Sequence, residues 1–421
     1  MTNSISITSE YLLVAIDVAK RAHEVVVRWP SGKVRGLKVS SQRSGLEQLT
    51  RTLLKQGLPV RTALEPTADY HRPLAYWLLT HGIEVHLASS LACARIRDAM
   101  YNSWDKHDRK DARVILYLLE QGLTSPFHDP LLEGYLDLQE LSNTYHQIAL
   151  ARARCYHSLI NHYLQLFFPE MERFLNSSRA EWFCRFLLKF PSPSTINRLT
   201  KTEFAKEAWD IIGRKVAKRR LLGEIYDLAC TSIALPVPED AHAIHTFRMQ
   251  LERYLALTAM RRDLEQQADG ILANHPDYRR LQTLPGVGPI IALIILAESG
   301  DLRRFSHHRQ YLKYCGFDLS ATQSGQSQSR YQLSKRGNGR LRYAFWLAAI
   351  SAIRQRENGF RWKYERYVRR DPYNADLKRK ARIAVAAKMA RVAHALIKQG
   401  ADYRGYHEAP LAGGGTHSHG P

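Results

Sequence analysis

Four carboxylates are spaced so that one fold could gather them. Asp17 closes an apolar run in YLLVAIDVAK, Glu65 stands in ALEPTADY, and Asp108 and Asp111 stand in KHDRKDAR. A charge inside a buried strand is costly without a partner, so Asp17 needs a counter-charge or a cation. Asp108 and Asp111 are three residues apart and share one face of a helix. Four such groups near one point repel one another unless a cation lies among them. Hard oxygen donors select Mg2+ or Mn2+, and two such ions about 4 Å apart can clamp the attacking and leaving oxygens of a phosphoryl transfer. Taken singly, Asp108 reads as a helix N-cap and Glu65 as a strand-end surface residue. Their joint occurrence with Asp17 is what points to metal.

A second set of reactive groups lies far down the chain. The polar run Ser320–Ser329 has no core periodicity and reads as a loop, followed at once by Lys335, Arg336, Arg340 and Arg342. A serine hydroxyl in such a loop, facing guanidinium and ammonium groups, has what attack on a phosphate requires. Spacing does not choose among Ser320, Ser324, Ser327 and Ser329. Upstream, LPGVGP sets Gly286 and Gly288 between two helical segments. This is a helix-hairpin-helix pattern whose backbone N–H groups can hold a nucleic-acid phosphate; a plain tight turn between packed helices spells the same way.

Charge supports a polyanionic partner. The 421 residues carry 61 Lys and Arg against 40 Asp and Glu, a net charge of +21. Between residues 301 and 400 the ratio is 23 to 6, a local excess of 17. A basic segment of this kind suits phosphate backbones, and no apolar run is long enough to span a membrane. Five scattered cysteines without CxxC spacing argue against structural zinc and a disulfide framework. With no signal-peptide pattern at the N-terminus, the expected compartment is the cytoplasm.

The elements that must position these residues follow from periodicity. Residues 1–128 read as three consecutive strands, helix, strand, helix, strand, a loop, and a final helix from about Asp108. That order is the mixed α/β sheet of the ribonuclease-H kind, in which the strands bearing Asp17 and Glu65 can be neighbours and the last helix can lay its first turn across their ends. Residues 129–275 read as two long helices forming a coiled-coil or hairpin arm, with apolar steps of three and four from Leu138 to Leu166. RKVAKRR between them reads as a solvated basic face. Residues 276–400 read as mainly helical, and 401–421 as a disordered tail.

Six ordered segments, AIDVAK, ALEPTADY, HDRKDA, LPGVGP, QSG and LSKRGNGRLR, resemble the DEDD transposases of the insertion-sequence-110 type and its 1111 branch, the bridge-RNA-guided serine recombinases. The resemblance runs over about residues 10–400. It implies a RuvC-like domain whose metal ligands are Asp17, Glu65, Asp108 and Asp111, and a C-terminal transposase domain whose nucleophile is Ser324. It further implies a phosphoserine link to DNA, strand exchange between donor and target, a structured noncoding guide RNA, and a dimer-to-tetramer assembly associated with the nucleoid. Ala68 stands where the family's motif has glycine, His107 where it has threonine, and CGFDLSATQSG replaces the usual GLxP-type spelling. Two rival readings use part of these features. A RuvC-like nuclease hydrolysing branched DNA would use the carboxylates alone, and a non-catalytic nucleic-acid binder the basic C-terminal segment alone.

Overall fold

The computed structural model describes residues 10–101, 108–175, 180–213, 217–321 and 331–405. Its contacts divide the chain into two compact units, residues 1–134 and 135–421. Among the described residues no helix is long and apolar enough to cross a membrane.

In the first unit, five apolar residues in succession make β1 (Leu12–Asp17) a strand buried on both faces. β2 (Ala22–Arg28) and β3 (Val34–Ser40) follow as antiparallel neighbours. α1 (Arg43–Leu54), β4 (Val60–Leu64), α2 (His71–Thr80) and β5 (Glu84–Leu87) complete two crossovers. α3 (Ser90–Tyr101), α4 (Asp108–Glu120) and the short β6 (Ser125–Pro126) close the unit. The sheet order is β3-β2-β1-β4-β5-β6, with β1, β4 and β5 parallel. Strand alternation sorts the side chains into two layers. Leu12, Val14 and Ile16 pack with Leu49 and Leu53 of α1 and Leu74 and Leu78 of α2. Leu13, Ala15, Val26 and Ala63 pack with Cys93 of α3 and Ala112, Ile115 and Leu119 of α4.

The mixed sheet and the adjacency of β1 and β4 are as the strand order allowed. The stretch expected as a loop after β5 instead contains α3. Only Cys93 of that helix is buried, so its sequence, SLACARIRDAMY, lacks the apolar stripe that marks α1 and α4.

The second unit holds both the helical middle and the C-terminal segment. α5 (Leu136–Ser158) continues through a π-helical turn at Leu159–Tyr163 into α6 (Leu164–Phe167). Then come α7 (Ala180–Lys189), α8 (Pro193–Asn197), α9 (Lys201–Ala208), α10 (Lys218–Cys230) and α11 (His242–Leu272). α5 and α11 run antiparallel. Tyr145 donates to Glu265 (3.4 Å), Arg152 to the Tyr254 hydroxyl (3.0 Å), and the Cys155 thiol to the Gln250 carbonyl (3.4 Å). Beyond that pair the chain builds a separate core, in which Phe167 is in ring contact with Phe247, and Phe186, Phe190 and Phe204 are in ring contact with one another. The middle of the chain is therefore more than two long helices. The shortest of its added helices, α8 and α9, span only five and eight residues, too few turns to show a period.

α12 (Pro276–Gln282) and α13 (Pro289–Ser299) are joined by the LPGVGP turn, and α14 (His308–Cys315) leads to β7 (Leu319–Ala321). β8 (Tyr331–Leu333) pairs antiparallel with β7, so Ser320 lies opposite Gln332 in a ribbon rather than in a loop. α15 (Gly339–Arg354), α16 (Gly359–Val368) and α17 (Ala375–Gln399) follow. All three are capped by asparagine: Asn338, Asn358 and Asn374 accept from backbone N–H groups of the first turn. The tail beyond residue 405 and residues 322–330 lie outside the described residues.

Two left-handed positions make opposite demands. Gly286, at φ +83°, lies so close to α15 that a Cβ would sit 2.3 Å from the Ala348 carbonyl oxygen and 2.6 Å from the Ala352 nitrogen. Ala68, at φ +45°, bears a Cβ in a region that costs roughly 1–2 kcal/mol for an L-residue. Gly286→Ala is expected to lose about 3 kcal/mol or more of stability, because backbone must move to admit the methyl group. Ala68→Gly is expected to gain about 1 kcal/mol, which thermal or urea melting of the two variants would read.

Candidate active site

The carboxylates sit where the first unit's topology directs them. Asp17 is the last residue of β1, and Glu65 is the first residue after β4, strands that pair in parallel up to Ile16 opposite Leu64. Alternation places Asp17 on the face of Leu13 and Ala15, and Glu65 on the face of Ala63, both toward α3 and α4. Asp108 opens α4, and Asp111 lies in its first turn. Two of the four expected ligands thus belong to one end and one face of the sheet, and the other two lie in the first turn of the helix that covers that face.

Two groups that the sequence reading did not single out stand among them. Glu24 of β2 is directly opposite Asp17 in the antiparallel register, on the same face, at the ~5 Å Cβ separation of such pairs. Lys38, opposite Glu24 on β3, approaches its carboxylate at 3.8 Å. Arg97 of α3 donates from Nε to Asp111 Oδ1 at 2.5 Å, and the Asp111 side chain is 5% exposed. Spacing in the sequence shows neither relation. Glu24 reads as an ordinary polar position in an alternating strand, and Arg97 belongs to the helix that periodicity missed.

Cys93 ties the site together. Burial pushes its thiol up to about 12, and the Glu65 carboxylate, to which it hydrogen-bonds, pushes in the same direction, as does Asp111; Arg97 opposes them. The thiol stays protonated at neutral pH and serves Glu65 as a donor, not as a nucleophile.

Among the described residues no three His, Cys, Asp or Glu side chains are set closely enough to enclose a metal ion. The donor chemistry nonetheless fits a hard divalent cation: every candidate ligand is a carboxylate, and Asp111 already holds a positive group in the guanidinium of Arg97.

The second unit orders the segment around the expected nucleophile. Ser324 lies outside the described residues, but both ends of its loop are held by the β7–β8 ribbon. Downstream, Gly337 packs so tightly that a Cβ would be 2.5 Å from the Tyr314 carbonyl oxygen. Glu298 of α13 anchors the same segment. It accepts from Asn338 Nδ2 at 2.7 Å, from Arg340 at 3.4 Å and from the Ser142 hydroxyl of α5 at 3.5 Å. Arg340 also donates to Asn143, and Arg342 reaches the carbonyls of Lys335 (3.2 Å) and Cys315 (3.4 Å). These two arginines, expected on phosphates, therefore have partners within the fold, whereas Lys335 and Arg336 are exposed. In the LPGVGP turn, Gly286 is accounted for by its packing on α15. Gly288 caps α13 facing open space, on a cleft of about 780 Å³ shared with Arg261, Arg340 and Tyr343.

A parallel-centred mixed sheet with carboxylates at the ends of its first and fourth strands is consistent with a RuvC-like α/β domain. A family model described as "Transposase", of the DEDD IS110 type, matches residues 14–169, and one described as "Transposase IS116/IS110/IS902 family" matches residues 278–365. The chain belongs to the IS110 family of DEDD transposases. It is 24% identical over 347 residues to an uncharacterised 43.6 kDa protein of insertion element IS110 from Streptomyces coelicolor, covering 81% of this chain and 84% of that one. A 44.8 kDa protein of insertion element IS116 from Streptomyces clavuligerus is 24% identical, with the same coverage. The transposase of insertion sequence IS1111A from Coxiella burnetii is 31% identical over 96 residues, 23% of this chain and 26% of its own length.

Arg97 neutralises a buried carboxylate that already faces other acids. Arg97→Gln is expected to cost the first unit roughly 2 kcal/mol, since Asp111 would remain buried with its charge uncompensated. Arg97→Lys should recover part of that loss in the same melting experiment, and Arg97→Gln in an Asp111→Asn background should cost little.

Proposed function

We propose that this transposase cuts and rejoins the DNA of its element through a covalent phosphoserine on Ser324, with Asp17, Glu65, Asp108 and Asp111 holding Mg2+ or Mn2+. The observation that carries the reading is the placing of Asp17 and Glu65 side by side at the carboxyl ends of β1 and β4, with Glu65 and Asp111 both acting on the Cys93 thiol. When bound, the metal supplies Lewis acidity at a phosphodiester oxygen and relieves the repulsion among the carboxylates.

The Ser324 oxygen forms a bond to phosphorus as its proton passes to solvent. The strand's P–O bond breaks, and the departing oxygen takes up a proton. A hydroxyl at another strand end reverses the step, joins to phosphorus and frees the serine. Lys335 and Arg336, exposed beside the ribbon, carry the charge developing on the phosphate. Arg340 and Arg342 hold the segment that presents it. The Gly288 N–H, at the open end of the turn, takes a backbone phosphate of the helix-hairpin-helix kind. A structured RNA from the element's own end supplies the choice of donor and target sequence by base pairing. The chain acts as a homo-oligomer.

A hydrolytic nuclease is the second reading, favoured by the fact that Asp17, Glu65 and Asp111 are brought together within the first unit alone.

Trapping of a protein–DNA adduct separates the two. Wild type should form an adduct on element-end DNA, and Ser324→Ala should bind the DNA yet form none. Asp17→Ala should fail in the same assay and lose the thermal stabilisation that Mg2+ gives the parent. An adduct retained in Ser324→Ala would refute the nucleophile. Cutting by wild type without an adduct would establish the nuclease, and equal Mg2+ stabilisation in Asp17→Ala would remove the metal assignment.

A further inference from the structure

Several arginines of the second unit pair with acids one helical turn away. Arg185 pairs with Glu181, Arg220 with Glu224, Arg261 with Glu265 and Arg379 with Asp376. On one side of α16, Arg361 pairs in the same way with Glu365 at 2.6 Å. The other side is different. At 100° per residue, Trp362, Arg366, Lys363 and Tyr367 fall within an arc of about 140°. They flank the face through which Phe360 and Tyr364 enter the core.

Cations crowd this arc. Arg391 and Lys388 of α17 face Lys363 together with Arg366, and no carboxylate among the described residues forms an ion pair with Lys363, Arg366 or Arg391. Burial and these neighbours hold the half-buried Lys363 ammonium below the usual lysine range. Lys388 donates to the Gly359 carbonyl and stands 5.6 Å over the Phe360 ring. Arg391 also faces His308 at the start of α14, beside Arg309, so the positive field continues onto that helix. Like charges left together at a surface cost stability and are relieved by an anion.

Aromatic rings are exposed in the same place. Trp362 and Tyr367 are each 40% exposed, and Tyr373, in the turn after α16, is 94% exposed. Cations interleaved with exposed rings are the chemistry of a strand whose bases are unstacked: phosphates meet the charges, and bases stack on the rings. A duplex offers phosphates but hides its base faces.

We propose that this face of α16 and α17 binds an unpaired stretch of nucleic acid, its phosphates on Lys363, Arg366 and Arg391 and its bases on Trp362 and Tyr367. The proposal uses none of the residues assigned to the cutting chemistry, and its test is binding rather than activity.

Fluorescence anisotropy of the full chain with labelled oligo(dT) and oligo(U) of about 20 nucleotides, against a duplex of the same length, tests the proposal. Trp362→Leu with Tyr367→Leu should weaken binding of one or both single strands roughly tenfold and leave the duplex unchanged. Lys363→Gln with Arg391→Gln should lower the log–log salt slope for the affected single strand by about 1.4, at ~0.7 per lost contact. This charge variant should melt no lower than the parent, since it removes repulsion; Arg361→Gln, on the ion-paired side, should change neither binding measure. Loss from the aromatic variant that is equal on duplex and single strands, or absent on all, overturns the proposal. So does an unchanged salt slope for both single strands in the charge variant.

Discussion

The first unit is built around an electrostatic conflict at the end of β1. Parallel pairing of β1 with β4 and antiparallel pairing with β2 place Asp17 beside Glu65 on one side and opposite Glu24 on the other. A strand cannot turn one of these residues away without turning its apolar neighbours out of the core, because alternation has a period of two. The acids are therefore forced together by the same burial of Leu13, Ala15 and Ala63 that stabilises the sheet. Arg97 and Lys38 offset part of the repulsion, and the Cys93 thiol donates to Glu65.

The second unit solves a different problem, the fixing of the β7–β8 ribbon and the segment that follows it. Glu298 ties α13 to Asn338, Arg340 and Ser142, and Gly337 lets the chain pass against the end of α14. Arg342 then bonds carbonyls on both sides of the ribbon's base. Motifs rich in Arg, Gly and Asn invite a reading in which every cation meets the ligand. Here the glycines and the asparagine, together with two of the arginines, hold the segment in place, which leaves Lys335 and Arg336 at the surface.

Charge is distributed differently in the two units. In the first, acids are collected on one face and answered by few cations. In the second, some arginines are paired along their own helices, whereas among the described residues Lys335 and Arg336 at the ribbon's base and the cations Lys363, Arg366 and Arg391 beside α16 have no such pairing. A net charge of +21 announces a polyanion, but only the pairing pattern says which cations remain available to it.

Much of this was legible in the sequence. The run LLVAI followed by Asp fixed a buried strand with a charge at its end, and the strand and helix order of the first unit fixed which strands could be neighbours. Ordered motifs carried the family over most of the chain. These features are local or nearly so, and periodicity and spacing report local structure well. What tertiary structure alone decided lies in pairings across long separations. The Asp17–Glu24 register and the Arg97–Asp111 pair depend on how strands and helices dock. The helix α3 and the phenylalanine core of the middle segment are stabilised by contacts that no single window contains. The partners that Gly286, Arg340 and Arg342 find within the fold were out of reach of local reasoning for the same reason. A glycine or an arginine looks the same in sequence whether it meets a phosphate or a carbonyl of its own fold, and only the packed structure tells which group stands within reach.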